Sequence, residues 1–385
     1  MAANAYAVAT TAVFAALGLA APVRAASSAT PVAVSVPFAP SPVETGGARR
    51  LFYELHLTNY ANEPLTIDEI EIRSGDGRVM NEFRGEAVTP LLERSGEAEK
   101  PSREIPARGF RVLFLDTPLP AGPVPADLRW RLGVSRAATA DPAKHTQDPS
   151  AIDGVLAIDR RPPVAIAFPL PPGVWAAANG PSNTSDHRRS LQVVDGKARI
   201  SQRYAIDWIK LGPGGRPFHG DKAVNANWYG FGQPVLAVAD ATVASTHDGV
   251  PENEPADKRA VPITLETVGG NDVILNLGDG RFAFYAHLQP GSLRVHVGDH
   301  VHVGQVLGLL GNTGNSDAPH LHFHVADANS PLGAEGVPYV FRSWRRLGKA
   351  SFEQLVGPGW KASSSARTAP VTLALPAEDE VVEAL

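Results

Sequence analysis

The hexapeptide "PHLHFH", Pro319 to His324, places three histidines at alternate positions of the chain. Side chains alternate between the two faces of a β-strand, so His320, His322 and His324 would project together, while the leucine and phenylalanine between them enter a core. Neutral imidazole is the commonest metal ligand and the usual general base near neutral pH. The pattern therefore predicts a strand with a zinc-binding front and an apolar back. A solvated, His-rich edge strand is the alternative.

The composition of the 385 residues excludes several kinds of site and partner. There is no cysteine, which excludes disulfides, thiolate metal ligands and cysteine nucleophiles, so a metal must be held by histidine and carboxylate. The net charge is −5 and no Lys/Arg-rich run is present, so we expect no nucleic-acid partner. Glycine (36 residues) and proline (34 residues) are frequent, which favours short strands joined by many turns.

The length predicts two domains, at about 150 residues per domain. In the first, residues 31–165, the segment Leu65 to Ser74 alternates apolar and polar side chains with one slip near its middle. Similar strand patterns cover residues 49–60 and 109–120, and another begins at Leu128. Short strands separated by turns and polar loops predict an antiparallel β-sandwich.

The second domain, residues 171–345, again shows short strand patterns between glycine-marked turns. We therefore predict an all-β protein, in which the N-terminal sandwich is followed by a domain built on an antiparallel β-sheet. The segment 346–385 begins with an Ala/Ser/Pro-rich stretch, and we expect it to form a poorly ordered tail.

The N-terminus has the features of an export signal. Ala7 to Ala21 is apolar and rich in small residues, and "VRA" at Val23 to Ala25 fits a signal-peptidase site. We predict a signal peptide over residues 1–25, a mature chain from about Ala26 and a periplasmic or extracellular location. No other stretch is long and apolar enough to span a bilayer, so we expect no stable membrane span after cleavage.

Three segments in this order, "GFGQPVLAVADATV", "FYAHL" and "VHVGDHVHVGQVLGLLGNTGNSDAPHLHFH", resemble the core of the M23 zinc metallopeptidases. This is the lysostaphin and LytM group, which cleaves peptidoglycan cross-bridges. The resemblance covers about residues 171–345, and the ordered combination is far more specific than any single motif. It implies an M23-type peptidase domain with zinc (Zn2+) as cofactor, and the N-terminal sandwich resembles an accessory domain that some members carry.

The resemblance also implies roles for four residues. His322 and Asp207 would be zinc ligands. His320 would lie beside the metal without binding it and stabilise the transition state, and His287 would be the second catalytic histidine. These roles agree with general zinc chemistry, since a hydrolytic zinc keeps about three protein ligands and one open position.

One position departs from the family pattern, in which a histidine stands four residues before the aspartate. Here Arg203 occupies that position, and a guanidinium offers no lone pair to a metal. Our first candidate for the third ligand is His187, which follows a loop rich in Gly and Asn and lies upstream of Asp207. His219 is the second candidate, and an incomplete metal site is the third possibility.

Several other residues receive supporting or structural interpretations. His324 is expected to orient a ligand or to be structural. The hairpin histidines His296, His300 and His302 are expected to face solvent. The insertion 212–232, with Trp228, Tyr229 and Phe231, is expected to form a wall of the substrate groove.

The sequence therefore predicts an exported zinc metalloendopeptidase that hydrolyses peptide bonds, with peptidoglycan stem peptides or cross-bridges as the substrate implied by the resemblance. The alternative is a catalytically inactive binding or regulatory protein of the cell envelope on the same fold, which Arg203 favours. The N-terminal domain is additionally hypothesised to shield the site.

Overall fold

The computed structural model describes residues 30–92, 102–136, 150–256, 259–362 and 369–385. The predicted signal peptide, residues 1–25, lies outside the described residues. The chain folds almost entirely as β-strands, which confirms the all-β prediction. No helix among the described residues has the length and apolar character needed to cross a membrane.

The first part of the described chain contains these strands: β1 Val32–Ser35, β2 Val43–Thr45, β3 Ala48–Asn59, β4 Leu65–Ser74, β5 Val79–Arg84, β6 Glu104–Ile105, β7 Phe110–Leu119, β8 Asp127–Arg136 and β9 Ser150–Ala157. A 3₁₀ helix follows β5 at Gly85–Leu91.

The remaining strands are β10 Val164–Ile166, β11 Gly173–Ala178, β12 Gln192–Val194, β13 Lys197–Arg199, β14 Ile206–Lys210, β15 Pro234–Leu236, β16 Ala241–His247, β17 Asn271–Gly278, β18 Arg281–Leu288, β19 His300–Val301, β20 Val306–Leu309, β21 Leu321–Ala326, β22 Tyr339–Lys349, β23 Val371–Ala374 and β24 Glu380–Ala384. Two short α-helices, α1 Asp186–Arg189 and α2 Phe352–Val356, and two 3₁₀ turns, Pro213–Gly215 and Asn225–Asn227, lie between them.

Strands β1 to β9 form two sheets that face each other. β1, β3, β2 and β7 make one sheet, and β5, β4, β8, β9 and β6 make the other. The predicted slip in the alternation of β4 is a register shift between Ile67 and Glu69 where β4 pairs with β8, a β-bulge. Because of this bulge, Ile67, Ile70 and Ile72 are all fully buried in the core between the two sheets.

The second part of the chain is organised around one large sheet, whose described strands follow the order β10-β22-β24-β11-β14-β21-β18-β17-β16-β19, with β23 beside β22. All its ladders are antiparallel except β10 with β22, which is parallel, so the predicted antiparallel sheet has one parallel pair at its end. The middle strands β14, β21 and β18 carry the candidate site.

The expectation of a poorly ordered tail over 346–385 is wrong for its strands. β24 lies inside the large sheet and pairs with β11 on one side and β22 on the other. Val381 and Val382 are fully buried there. A short β-branched run gains stability from its two neighbours, which composition alone does not reveal.

The two halves also share a core, so the predicted domain limits at 165 and 171 stay predictions. Val43 and Phe52 of the first half are buried in the same apolar cluster as the large sheet. The Phe52 ring packs edge-on against Tyr204 with centroids 6.0 Å apart. β10 begins at Val164, inside the limits of the first predicted domain, yet pairs with β22.

Candidate metal centre

Strand register brings Asp207 and His322 together at the centre of the large sheet. Asp207 on β14 is the direct cross-strand partner of His322 on β21, so both side chains leave the same face. His322 Nδ1 lies 3.0 Å from Asp207 Oδ1, and both residues are buried. Leu321 and Phe323 point the other way and are fully buried in the core, as the alternation predicted.

Helix α1 supplies His187 from outside the sheet. His187 Nδ1–H donates to the carbonyl of Asn179 at 3.0 Å, which leaves Nε2 with a free lone pair. That Nε2 lies 3.4 Å from Asp207 Oδ2, and the ring meets His322 edge-on with centroids 4.7 Å apart. Among the described residues, His187, Asp207 and His322 form a group whose possible ligand atoms all lie within 4.8 Å of one another.

The donor set fits a zinc ion. Two imidazoles and one carboxylate are typical zinc ligands, and three protein ligands leave one position open. Each donor is also held by a second contact, since Asn179 Nδ2 donates to Asp207 Oδ2 at 2.9 Å and His322 Nε2 is 2.9 Å from His324 Nδ1. Such contacts orient metal ligands in characterised sites.

The electrostatics of the group favour a carboxylate beside neutral imidazole. Burial alone would raise the pKa of Asp207, but the surrounding His187, His320 and His322 hold that pKa well below its usual range. Burial lowers the pKa of His322 to about 4. At neutral pH Asp207 is therefore ionised and His322 is neutral, which are the forms that bind a metal.

His320 and His287 lie next to this group. His320 Nδ1–H donates to the carbonyl of Ala318 at 2.8 Å, and its Nε2 is 3.3 Å from Asp207 Oδ1. Burial lowers the pKa of His320, but the Asp207 carboxylate outweighs that effect and the pKa is raised. The rings of His287 and His320 are 4.8 Å apart between centroids.

His287 has an unusual backbone. Its φ is +67°, a left-handed conformation that β-strand residues rarely adopt, and it occurs where β18 approaches its end. Its N–H donates to the carbonyl of Gly269 at 2.8 Å, and its Nδ1–H donates to the carbonyl of Thr313 at 2.7 Å. Nε2 is therefore free to accept a proton. Burial and the neighbouring His320 and His322 hold the pKa of His287 well below 6.5.

His324 supports the group from beneath. It is buried, bonds His322 through Nδ1 and stacks on Phe284 with centroids 4.4 Å apart and planes 6° apart. Burial keeps its pKa well below the usual value, so it is neutral. The geometry agrees with the supporting interpretation of His324.

Other predicted candidates lie elsewhere. Arg203 is buried and forms ion pairs with Glu54 and Glu335, away from the ligand group. His219 is exposed and packs against Tyr229, with ring centroids 5.4 Å apart. The hairpin histidines face solvent, as expected; the side chain of His296, for example, is 92% exposed.

The group opens into a cavity of about 640 Å³. Of the aromatic residues predicted to form the wall, Trp228 lines this cavity and Tyr229 and Phe231 do not, so the predicted wall is only partly formed by them. The lining residues all lie between Ala178 and Asp379, which gives no support to shielding by the described residues of the first domain.

Sequence reasoning missed Asn179, which contacts two members of the group. It lies in the left-handed region, φ +49°, directly after β11. The surrounding loop is rich in Gly and Asn, and an asparagine in such a loop ordinarily indicates a turn, so nothing in the sequence indicated its contacts with the group.

A His–Asp–His group that lines a cavity above a β-sheet is an arrangement that suits a metal-dependent hydrolase. Residues 227–333 match the model of "Peptidase family M23". This match confirms the resemblance drawn from the sequence, and residues 227–333 form a segment of that peptidase family. The matched segment contains His287, His320 and His322, whereas Asp207 and His187 precede it.

The chain is also similar to characterised enzymes. It is 37% identical to lysostaphin of Staphylococcus simulans over 98 residues, 25% of this chain and 20% of lysostaphin. It is 48% identical to glycyl-glycine endopeptidase ALE-1 of Staphylococcus capitis over 56 residues, 14% of this chain and 15% of that enzyme. The chain thus spans a fifth or less of the length of these relatives.

Among solved structures, the catalytic domain of the antimicrobial peptidase lysostaphin from Staphylococcus simulans is 27% identical. The comparison covers 32% of this chain and 86% of that domain, with a TM-score of 0.21.

Proposed function

We propose that this chain is an exported zinc metalloendopeptidase that hydrolyses peptide bonds in peptidoglycan, within stem peptides or cross-bridges. The observation that carries the proposal is the clustered group of His187, Asp207 and His322 in the lining of the cavity. Family membership supports peptide hydrolysis, and the named activity of the relative ALE-1, a glycyl-glycine endopeptidase, supports a cell-wall peptide as substrate.

In this proposal His187, Asp207 and His322 hold the metal. Zinc, when bound, polarises the scissile carbonyl and makes a water molecule acidic enough to attack at neutral pH. His187 and His322 offer imidazole nitrogens, and the carboxylate of Asp207 is fixed by Asn179. An extended peptide would lie in the groove with one amide bond above this group.

His287 and His320 perform the proton chemistry and charge stabilisation. His287, tied through Nδ1–H to Thr313, presents a free Nε2 that accepts a proton from water and returns it to the leaving amine. His320, tied through Nδ1–H to Ala318 and close to Asp207, carries an Nε2–H that donates to the developing negative charge.

Zinc content and hydrolysis test the proposal together. The wild-type protein should hold about one zinc ion per chain, and His187→Ala and His322→Ala should lose it, with His302→Ala, an exposed histidine of the hairpin, as the matched control. Zinc retained by His187→Ala would reject the proposed third ligand. Fragments released from purified peptidoglycan, identified by mass spectrometry, would define the scissile bond.

The alternative reading as a catalytically inactive envelope protein corresponds to one outcome of the same experiment. A wild-type protein that holds no zinc after reconstitution and releases no fragments would contradict the enzyme proposal. Export is tested separately by N-terminal sequencing of the protein recovered outside the cytoplasm of an expressing bacterium, where a start near Ala26 is expected and an intact Met1 would contradict it.

A further inference from the structure

Four charged side chains are buried together where the two halves of the molecule meet. Glu54 on β3 forms ion pairs with both Arg188 and Arg203, and Arg203 also pairs with Glu335. The side chains of all four are at most 5% exposed. Two cations and two anions balance, which is the condition under which such burial is tolerated.

Arg188 directly follows His187 in helix α1. Besides its ion pair with Glu54, its Nη2 donates to the carbonyl of Tyr53 at 3.0 Å and to that of Leu115 at 3.3 Å. Its guanidinium also lies 5.1 Å from the ring centre of Phe114. All these partners belong to β3 and β7 of the first domain, so the residue beside the proposed ligand is fixed to that domain.

Helix α1 has little stability of its own. It contains four residues, Asp186–Arg189, and Ser185 at its N-cap makes no capping bond through its side chain. A single helical turn is not stable in isolation, so tertiary contacts must set its position. The side chain of Arg188, the residue next to His187, supplies an ion pair and two hydrogen bonds of this kind to the first domain.

We propose that Glu54 is a positioning residue for His187. Through Arg188 it fixes helix α1 against β3, and this places His187 Nε2 beside Asp207. Glu54 touches neither the ligand group nor the substrate groove. The first domain is therefore a structural part of the metal centre, and this inference rests on the proposed function of that centre.

The test compares zinc affinity in the full chain, measured on folded protein against a competing chelator. Glu54→Gln should weaken zinc binding by about 10- to 100-fold, the usual effect of losing a contact that orients a ligand. Asp116→Asn is the matched control, because Asp116 pairs with Arg50 of the same strand β3 at 2.8 Å and is not linked to α1. Its affinity should equal that of the wild type.

A double-variant comparison separates positioning from general damage. His187→Ala is expected to lose its zinc on purification, so its residual affinity is measured by titration with added zinc against a weaker chelator. In that background Glu54→Gln should cause no further loss of affinity, because the residue on which it acts is gone. An equal further loss in that background, or an affinity of Glu54→Gln within twofold of the wild type, would overturn the proposal.

Two additions keep the test decisive. If Glu54→Gln does not fold, Glu54→Leu combined with Arg188→Met removes the pair without leaving an unpaired charge, and the same loss of affinity is expected. If the wild type binds no zinc, the proposed function fails, and a crystal structure of Glu54→Gln decides the positioning role. The separation of 3.4 Å between His187 Nε2 and Asp207 Oδ2 should increase, and an unchanged separation overturns the role.

Discussion

Replacing Arg203 with methionine would remove the cation that two buried carboxylates share. The Arg203 side chain is 5% exposed, and those of Glu54 and Glu335 are each 4% exposed. Glu54 would keep Arg188, but Glu335 would lose its arginine partner inside the protein. Breaking a buried ion pair by removing one partner costs about 3–5 kcal/mol, so we expect the free energy of unfolding to fall by about 4 kcal/mol at pH 7.5.

Chemical denaturation of the full chain measures this loss. Arg131→Met is the control, because Arg131 and Asp153 form an exposed pair, 55% and 61% exposed, whose loss should change stability by less than about 1 kcal/mol. A loss for Arg203→Met as small as that of the control would refute the argument that Arg203 is a buried structural cation.

The same variant has a predicted pH dependence. Burial raises the pKa of Glu335 above its ordinary value of 4.5 despite the nearby Arg203, and loss of that cation raises it further. Between 4.5 and the raised pKa, the native state binds more protons than the unfolded state, so stability falls as pH rises. The destabilisation by Arg203→Met should therefore be smaller at pH 5 than at pH 8.

Three further predictions concern His287 on β18, Gly270 and the C-terminal strand β24. His287→Ala should keep its zinc but lose about 10²- to 10⁴-fold in hydrolysis, measured as zinc content beside turnover; loss of the zinc would contradict a purely proton-transferring role. Gly270→Ala should destabilise the protein in thermal unfolding much more than Gly280→Ala. Both glycines have φ near +65°, but only at Gly270 would a Cβ lie 2.2 Å from Thr313 Oγ1, whereas nothing lies within 4 Å at Gly280. Deleting residues 379–385 should abolish cooperative unfolding, since it removes a strand paired on both sides; a normally folded truncated chain would contradict the importance of β24.

Local sequence patterns correctly predicted those features of the fold that depend on a single strand. The alternation in "PHLHFH" fixes which side chains share a face, because the period of a β-strand is set by backbone geometry alone. His322 therefore reaches the group in the predicted direction, while Leu321 and Phe323 enter the core. The alternation in β4 even contained the bulge, as a slip in the pattern.

Composition failed where stability comes from distant neighbours. The end of the chain contains Ala, Ser and Pro in numbers typical of disorder, and this average concealed the short run Glu380–Ala384. That run is not stable as an isolated strand, but in the sheet it lies between β11 and β22 and pairs with both. Whether a segment forms a strand depends on the neighbouring strands with which it can pair, and these cannot be identified from the local sequence.

The proposed third ligand, His187, could be predicted from the sequence only in part, because its position depends both on a local motif and on contacts between distant segments. The family pattern places a histidine ligand four residues before the aspartate, so Arg203 in that position suggested an incomplete metal site. The structure instead gives Arg203 and Arg188 a shared partner in Glu54, on a strand more than a hundred residues away. Arg203 thus lies in an ion-pair cluster, and His187 of a separate short helix lies beside Asp207. An arginine at position 203 is therefore compatible with the proposed donor set, since helix α1 supplies His187 and is tied through Arg188 to β3 and β7.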